Sequence, residues 1–327
     1  MLYPLKFKTI YKDKIWGGDK IKTILGKDFS PLPNCGETWE ISGVAGEISI
    51  VENGDLAGNG LDELIEIYMS DLVGESVYER FGDEFPLLIK FIDAREDLSI
   101  QVHPNDELAK ERHNAYGKTE MWYIIQADEG ARVISGFKGQ IDKISYLDYL
   151  SRNNLEKILN EEQAKAGDVF FIRSGRVHAT GKGILLAEIQ QTSDITYRIY
   201  DYNRKDSNGN LRDLHTDLAL DAIDFNTEKS YRTDYQIVKN TPSKIVHCNY
   251  FNTNIIEFDK KIEKDYILID SFVIYICIEG SFSIEHEGGK EFVKKGDTVL
   301  IPAALKELSI VPDLKAKILE VYIQTEE

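Results

Sequence analysis

The sequence predicts a mainly β protein of two domains, each a sandwich or barrel, with small helical segments. Three observations carry this. From residue 246 onward the chain is a series of short strand-like runs: Val273–Ile278, Ser281–His286, Glu291–Val293, Thr298–Ile301, Glu307–Val311 and Ala316–Ile323, separated by Gly, Lys and Pro turns. Strand-like runs also dominate much of the first half. Finally, a Gly-Asp turn followed by a four-residue apolar strand occurs twice, at Gly167-Asp168-Val169-Phe170-Phe171-Ile172 and at Gly296-Asp297-Thr298-Val299-Leu300-Ile301.

In chain order, Trp16-Gly17-Gly18 is a turn signal and Glu37–Ser42 a strand. Leu61, Leu64, Ile65, Tyr68 and Leu72 follow helical spacing, so one amphipathic helix is expected over about 60–80. Phe85–Ala94 is a compact apolar strand with one charge, Lys90, which by itself reads as a lysine exposed at a strand edge. Next come the strand Leu98–His103, a short helix near Asp106–Arg112 capped by Asn105, and the strand Lys118–Gln126. A second helical patch is expected over about 141–160, with Ile144, Leu147, Leu150, Leu155 and Ile158 as its apolar face. Strands follow at Asp168–Arg173, Gly183–Gln191 and Ile195–Tyr202. Asp206–Asn210 is a turn-rich loop, and Leu214 and Leu218 suggest one more short helix. The polar stretch 224–245 reads as a connection, which divides the chain into 1–230 and 231–327.

Composition narrows the function. The chain has 327 residues and a net charge of -17. Such acidity argues against nucleic acid as a partner and requires a local cluster of cations for any anionic substrate. No apolar run approaches a membrane span, and residues 1–6 lack a signal-peptide core. Cys35, Cys248 and Cys277 form no CxxC pair and suit a reducing compartment. A cytoplasmic location is therefore expected, with no membrane or nucleic-acid partner. Oligomeric state is left open.

The segment Ser99-Ile100-Gln101-Val102-His103 places Ser99, Gln101 and His103 on one strand face. The repeated Gly-Asp strand resembles the second sequence motif of the cupin jelly roll, and the first copy continues to Gly175 and His178. The second copy keeps Pro302 but has Glu307 where the histidine belongs. The chain thus resembles a bicupin of two jelly-roll domains, with a metal site kept in the first and lost in the second. On that pattern the candidate ligands are Gln101, His103, Glu120 and His178. Two imidazoles, a carboxylate and an amide oxygen suit one Zn²⁺ per chain, and iron or manganese is open on ligand type. His113, His215, His247 and His286 fit no such pattern.

Four segments make the resemblance more specific: Gln101-Val102-His103-Pro104, Gly117-Lys118-Thr119-Glu120-Met121-Trp122, Gly175-Arg176-Val177-His178-Ala179, and Glu188 through Ser193-Asp194 to Arg198. With Trp16-Gly17-Gly18 and Gly36-Glu37-Thr38-Trp39-Glu40, they resemble class I mannose-6-phosphate isomerase in its short bacterial form. The resemblance implies a zinc-dependent aldose–ketose exchange between mannose 6-phosphate and fructose 6-phosphate, with a proton moved between C2 and C1. It implies positive charge near the metal from Lys118 and Arg198. Lys90 and Ser99 are expected at the same pocket, if the strand of Lys90 neighbours that of Gln101. Arg204 stands where longer members of the family carry a lysine and is expected to contact phosphate. Glu188 or Asp194 is expected to act as, or to support, the base, although proximity to metal and Arg198 should lower the Glu188 pKa. Asp194 is expected to orient Arg198 from the same strand face. The competing readings are a sugar-phosphate-binding cupin without turnover and an iron-dependent cupin oxidoreductase.

Overall fold

The computed structural model describes residues 2–205 and 209–324. They form two antiparallel β units, and the first consists of two facing sheets. One sheet is six-stranded, in the order Ile10–Lys12, Glu37–Ile41, Leu87–Ala94, Ile184–Gln191, Glu120–Ala127, Val169–Ile172. The other is five-stranded, in the order Tyr197–Tyr200, Ile100–Val102, His178–Thr180, Arg132–Phe137, Leu159–Gln163. Ile92, Trp122, Ile124, Val133, Phe170, Ile172 and Leu186 form the apolar layer associated with this first unit.

The second unit is an eight-stranded sheet closed on its own core of Ile256, Phe258, Tyr275, Phe282, Ile310 and Ile318. One of its strands comes from the opposite end of the chain. Leu5–Lys6 pairs antiparallel with Thr298–Ile301, with Leu5 opposite Leu300. A third core joins the units: Phe91, Met121, Ala187 and Ile189 on the outer face of the six-stranded sheet share it with Ile255, Ile274, Ile276 and Leu319. The fold is thus mainly β, and its second unit is a cupin domain, as expected from the sequence. Both copies of the Gly-Asp turn use a glycine at positive φ, 91° at Gly167 and 89° at Gly296. A β-carbon would strain either turn.

Several local expectations are corrected. The predicted helix over 60–80 is three short helices, Leu61–Tyr68, Ser70–Val73 and Glu75–Phe81. The chain turns at Met69 (φ 46°) and Gly74 (φ 96°), so Leu64, Ile65, Leu72 and Val77 reach the shared core from differently directed turns. The second helical patch holds only Lys143–Ser151 before a 3₁₀ turn and the strand Leu159–Gln163. Of its expected apolar face, Leu155 and Ile158 are buried, but Ile144 is 79% and Leu147 42% exposed, and Tyr146 is buried in their place. The connecting helix is Thr216–Ala222, and Leu214 lies outside it and exposed. The Asp206–Asn210 loop falls largely outside the described residues. Among the described residues, no helix is long and apolar enough to cross a membrane.

Candidate metal centre and active site

Register builds the site from two rows of side chains. In the five-stranded sheet Gln101 is the direct partner of both His178 and Arg198, and His178 is in turn the partner of Ser135. Direct partners share a face, so Arg198, Gln101, His178 and Ser135 form one row. In the six-stranded sheet Trp39, Lys90, Glu188 and Trp122 are successive partners. Glu120 lies on the same face, two residues before Trp122 on their strand. Lys90 therefore belongs to the sheet facing Gln101, on a central strand and 5% exposed. This corrects the expectations of an edge lysine and of a strand adjoining that of Gln101.

His103, Glu120 and His178 come together with their ligand atoms within 4.8 Å of one another. His103 Nε2 is 3.4 Å from Glu120 Oε2, and His178 Nε2 is 3.4 Å from Glu120 Oε1. The opposite ring nitrogens are engaged elsewhere: His103 Nδ1 bonds the Ile195 carbonyl at 2.9 Å and His178 Nδ1 the Arg176 carbonyl at 2.8 Å. A carbonyl only accepts, so both Nδ1 atoms carry hydrogen and both Nε2 atoms present lone pairs. Burial, with the nearby Lys118 ammonium, lowers the His103 pKa to about 3, and burial also lowers that of His178. Neutral imidazoles thus face a carboxylate. Burial alone would raise Glu120, but the Lys118 ammonium holds it well below the usual carboxylate range. Glu120 Oε1 and Oε2 and His103 Nε2 are buried without hydrogen-bond partners. Converging lone pairs sealed from water call for a cation. The donor set of two imidazoles and a carboxylate fits a divalent metal.

Gln101 borders the group, with its amide nitrogen 3.2 Å from His178 Nε2. A half-turn of the amide would present its oxygen instead.

Around this cluster lie the charges. Lys118 Nζ is 3.3 Å from Glu120 Oε2, and both are buried. Glu188 Oε1 accepts from the Trp122 indole at 2.9 Å, while Oε2, 3.3 Å from Lys90 Nζ, has no hydrogen bond. The Glu188 pKa is raised, contrary to the expected fall: burial and the Glu120 charge outweigh Lys90 and Lys118. Arg198 Nη1 donates to the Asp213 carbonyl at 2.9 Å, and its Nε is buried without a partner. Asp194 does not orient it. Asp194 is exposed, lies before the strand Tyr197–Tyr200, and makes no ion pair with Arg198 among the described residues. Ser99 is buried at the start of the Gln101 strand. Arg204 donates to the Asp97 carbonyl and to Asp201, and Arg212 Nε donates to Asp201 Oδ2 at 2.6 Å.

Sequence reasoning missed several of these neighbours. Trp39, Trp122 and Ser135 gave no spacing signal of their own, since long-range register brings them here, and Arg212 arrives from a loop through Asp201. Glu37 lay in a segment singled out above, but nothing in it pointed to Lys90, whose Nζ is 3.9 Å from Glu37 Oε2.

The chain is similar to known proteins of one family. Residues 4–136 match the family model for the catalytic domain of type I phosphomannose isomerase, and residues 241–322 that for the cupin domain of mannose-6-phosphate isomerase. Mannose-6-phosphate isomerase ManA of Bacillus subtilis is 37% identical over 94% of this chain and 95% of its own length. The mannose-6-phosphate isomerase of Streptococcus mutans is 32% identical over 96% and 97%. The crystal structure of the Bacillus subtilis mannose 6-phosphate isomerase superposes with a TM-score of 0.88, at 34% identity and covering 98% of this chain and 99% of that one.

Proposed function

The chain belongs to the type I mannose-6-phosphate isomerases, enzymes that interconvert mannose 6-phosphate and fructose 6-phosphate, and from this premise we propose which of its residues do what. His103, Glu120, His178 and the turned amide of Gln101 hold one zinc ion per chain. When bound, the ion supplies Lewis acidity toward the sugar oxygens.

Glu188 moves the proton between C2 and C1. The observation that carries this assignment is its divided carboxylate. The Trp122 indole fixes Oε1, and Oε2 is left without a hydrogen bond beside Lys90. A raised pKa brings its basicity closer to the task. Lys118 keeps Glu120 charged, and its ammonium is available to a sugar oxygen. Arg198 stabilises the enediolate or the phosphate. Ser99, Lys90 and Arg204 bind substrate, with Arg204 held for phosphate by Asp201. We place the protein in the cytoplasm, acting on a small sugar phosphate without nucleic-acid or membrane partners. We divide it at 230/231, with Leu5–Lys6 lent to the second unit.

The test is Glu188→Gln with metal content verified, following solvent deuterium into C1 of fructose 6-phosphate. Incorporation and turnover should both fall by at least ~100-fold, as for loss of a general base. Near wild-type turnover with metal retained would remove Glu188 from the role.

A further inference from the structure

The assignments above leave the half-buried carboxylate of Glu37, beside Lys90, without a task. Glu37 opens the strand Glu37–Ile41, and its Oε2 accepts from the Trp39 indole at 2.9 Å. Its Oε1 is 3.4 Å from Lys14 Nζ. Beyond it lies Lys90, whose Nζ is 3.9 Å from Glu37 Oε2, 3.3 Å from Glu188 Oε2 and 5.1 Å from the Trp39 ring centroid. Lys90 thus sits between two carboxylates, each pinned by an indole N–H. Trp39, Lys90, Glu188 and Trp122 are successive partners across the sheet, so the arrangement is set by register. Burial would raise the Glu37 pKa, but Lys90, then Lys14 and the Trp39 indole, hold it at about 2. A lysine is a point charge on a flexible stem. With one anion in reach it would close onto that anion; a second, fixed anion divides the pull.

We infer that Glu37 is a positioning residue that acts through Lys90, holding its ammonium off Glu188 and open to substrate. This rests on the assignment of Lys90 to substrate binding. Without Glu37, Lys90 closes onto Glu188 and is lost to the sugar phosphate. A bulk charge effect predicts the reverse, because removing a negative charge should favour an anionic substrate.

The test is Glu37→Gln, which keeps the size of the side chain and an oxygen acceptor for Trp39. It is assayed as the metal-loaded enzyme in the wild-type and Lys90→Met backgrounds, with metal content and thermal midpoint measured. KM for mannose 6-phosphate should rise about 10-fold in the wild-type background. In the Lys90→Met background it should change by less than about twofold, the limit for sites that act only through one another. Glu37→Asp keeps the charge and should give a smaller rise that also vanishes with Lys90→Met; it carries the test if the glutamine variant folds poorly. An unchanged or lower KM for Glu37→Gln, where Lys90→Met alone raises KM, overturns the inference and leaves Lys90 in its role. An equal rise in both backgrounds also overturns it. If Lys90→Met alone leaves KM unmoved, the assignment of Lys90 is what fails, and the inference falls with it.

Discussion

Gln101 and His178 are direct partners on neighbouring antiparallel strands, and the Gln101 amide nitrogen lies 3.2 Å from His178 Nε2. In this state the amide donates to the lone pair that would hold metal. On the proposed ligand set, loading the site would exchange this hydrogen bond for two ligand bonds.

A first prediction follows from the ligand set. His103→Ala or His178→Ala should lose metal and activity together. Losing a ligand should exceed the roughly 10–100-fold cost of losing an outer-shell partner. Elemental analysis after gel filtration should give one ion per chain for the wild type and close to none for either variant. Two tightly bound ions in the wild type, the second in the C-terminal barrel, would contradict the assignment.

The second barrel supplies another prediction. Its interior holds Glu320, which is 2.6 Å from Lys264 Nζ and accepts from Tyr266 Oη at 2.6 Å and from Asn254 Nδ2 at 3.0 Å. This polar cluster is internally paired and presents no converging lone pairs to a cation. Glu320→Leu strands the buried Lys264 and should destabilise the fold by about 3–5 kcal/mol. Adding Lys264→Met should recover much of that loss. Chemical denaturation measures both, and kcat per folded molecule should not move.

The third prediction concerns pH. Asp93 is fully buried; its Oδ2 accepts from the Lys20 amide at 2.6 Å, and its Oδ1 has no partner. Burial pushes its pKa up from 3.8 to about 6. The folded state therefore favours the protonated form. The stabilising contribution is complete below pH 3.8 and is lost as pH rises through about 6. Asp93→Asn cannot ionise. Relative to wild type, it should gain about 2 kcal/mol between pH 4 and 8, the order expected of a two-unit shift. Thermal midpoints at the two pH values read this gain directly, and a constant offset between the proteins would refute it.

Much of the site was legible because alternation is a local property. Ser99, Gln101 and His103 needed only a strand, and the Gly-Asp turn placed His178 at the end of a second one. Glu120 followed from the family segment around it. What could not be read was which sheet each strand joins. Lys90 looked like an edge residue because one lysine in an apolar run has that appearance; its central place depends on pairing with Glu37–Ile41 and Ile184–Gln191, far away in sequence. Asp194 failed for the opposite reason. Its four-residue spacing from Arg198 suggested a shared strand face, but the strand begins at Tyr197. The helix over 60–80 failed at Met69, where a residue with no turn signal adopts positive φ.

The pairing of Leu5–Lys6 with Thr298–Ile301 has a consequence for biosynthesis. The ribosome makes Leu5 nearly three hundred residues before its partner Leu300. Throughout that interval the amino-terminal segment has no strand to join, while the first unit has all its own strands once Tyr197–Tyr200 is made. The eight-stranded sheet is completed only when Thr298–Ile301 meets Leu5–Lys6. Domains that otherwise fold in order of synthesis are here fastened by a stitch that cannot be set until Thr298–Ile301 has been made. Removing residues 2–7 should therefore leave the metal centre intact and open an edge on the far barrel, where unpaired backbone invites association between molecules.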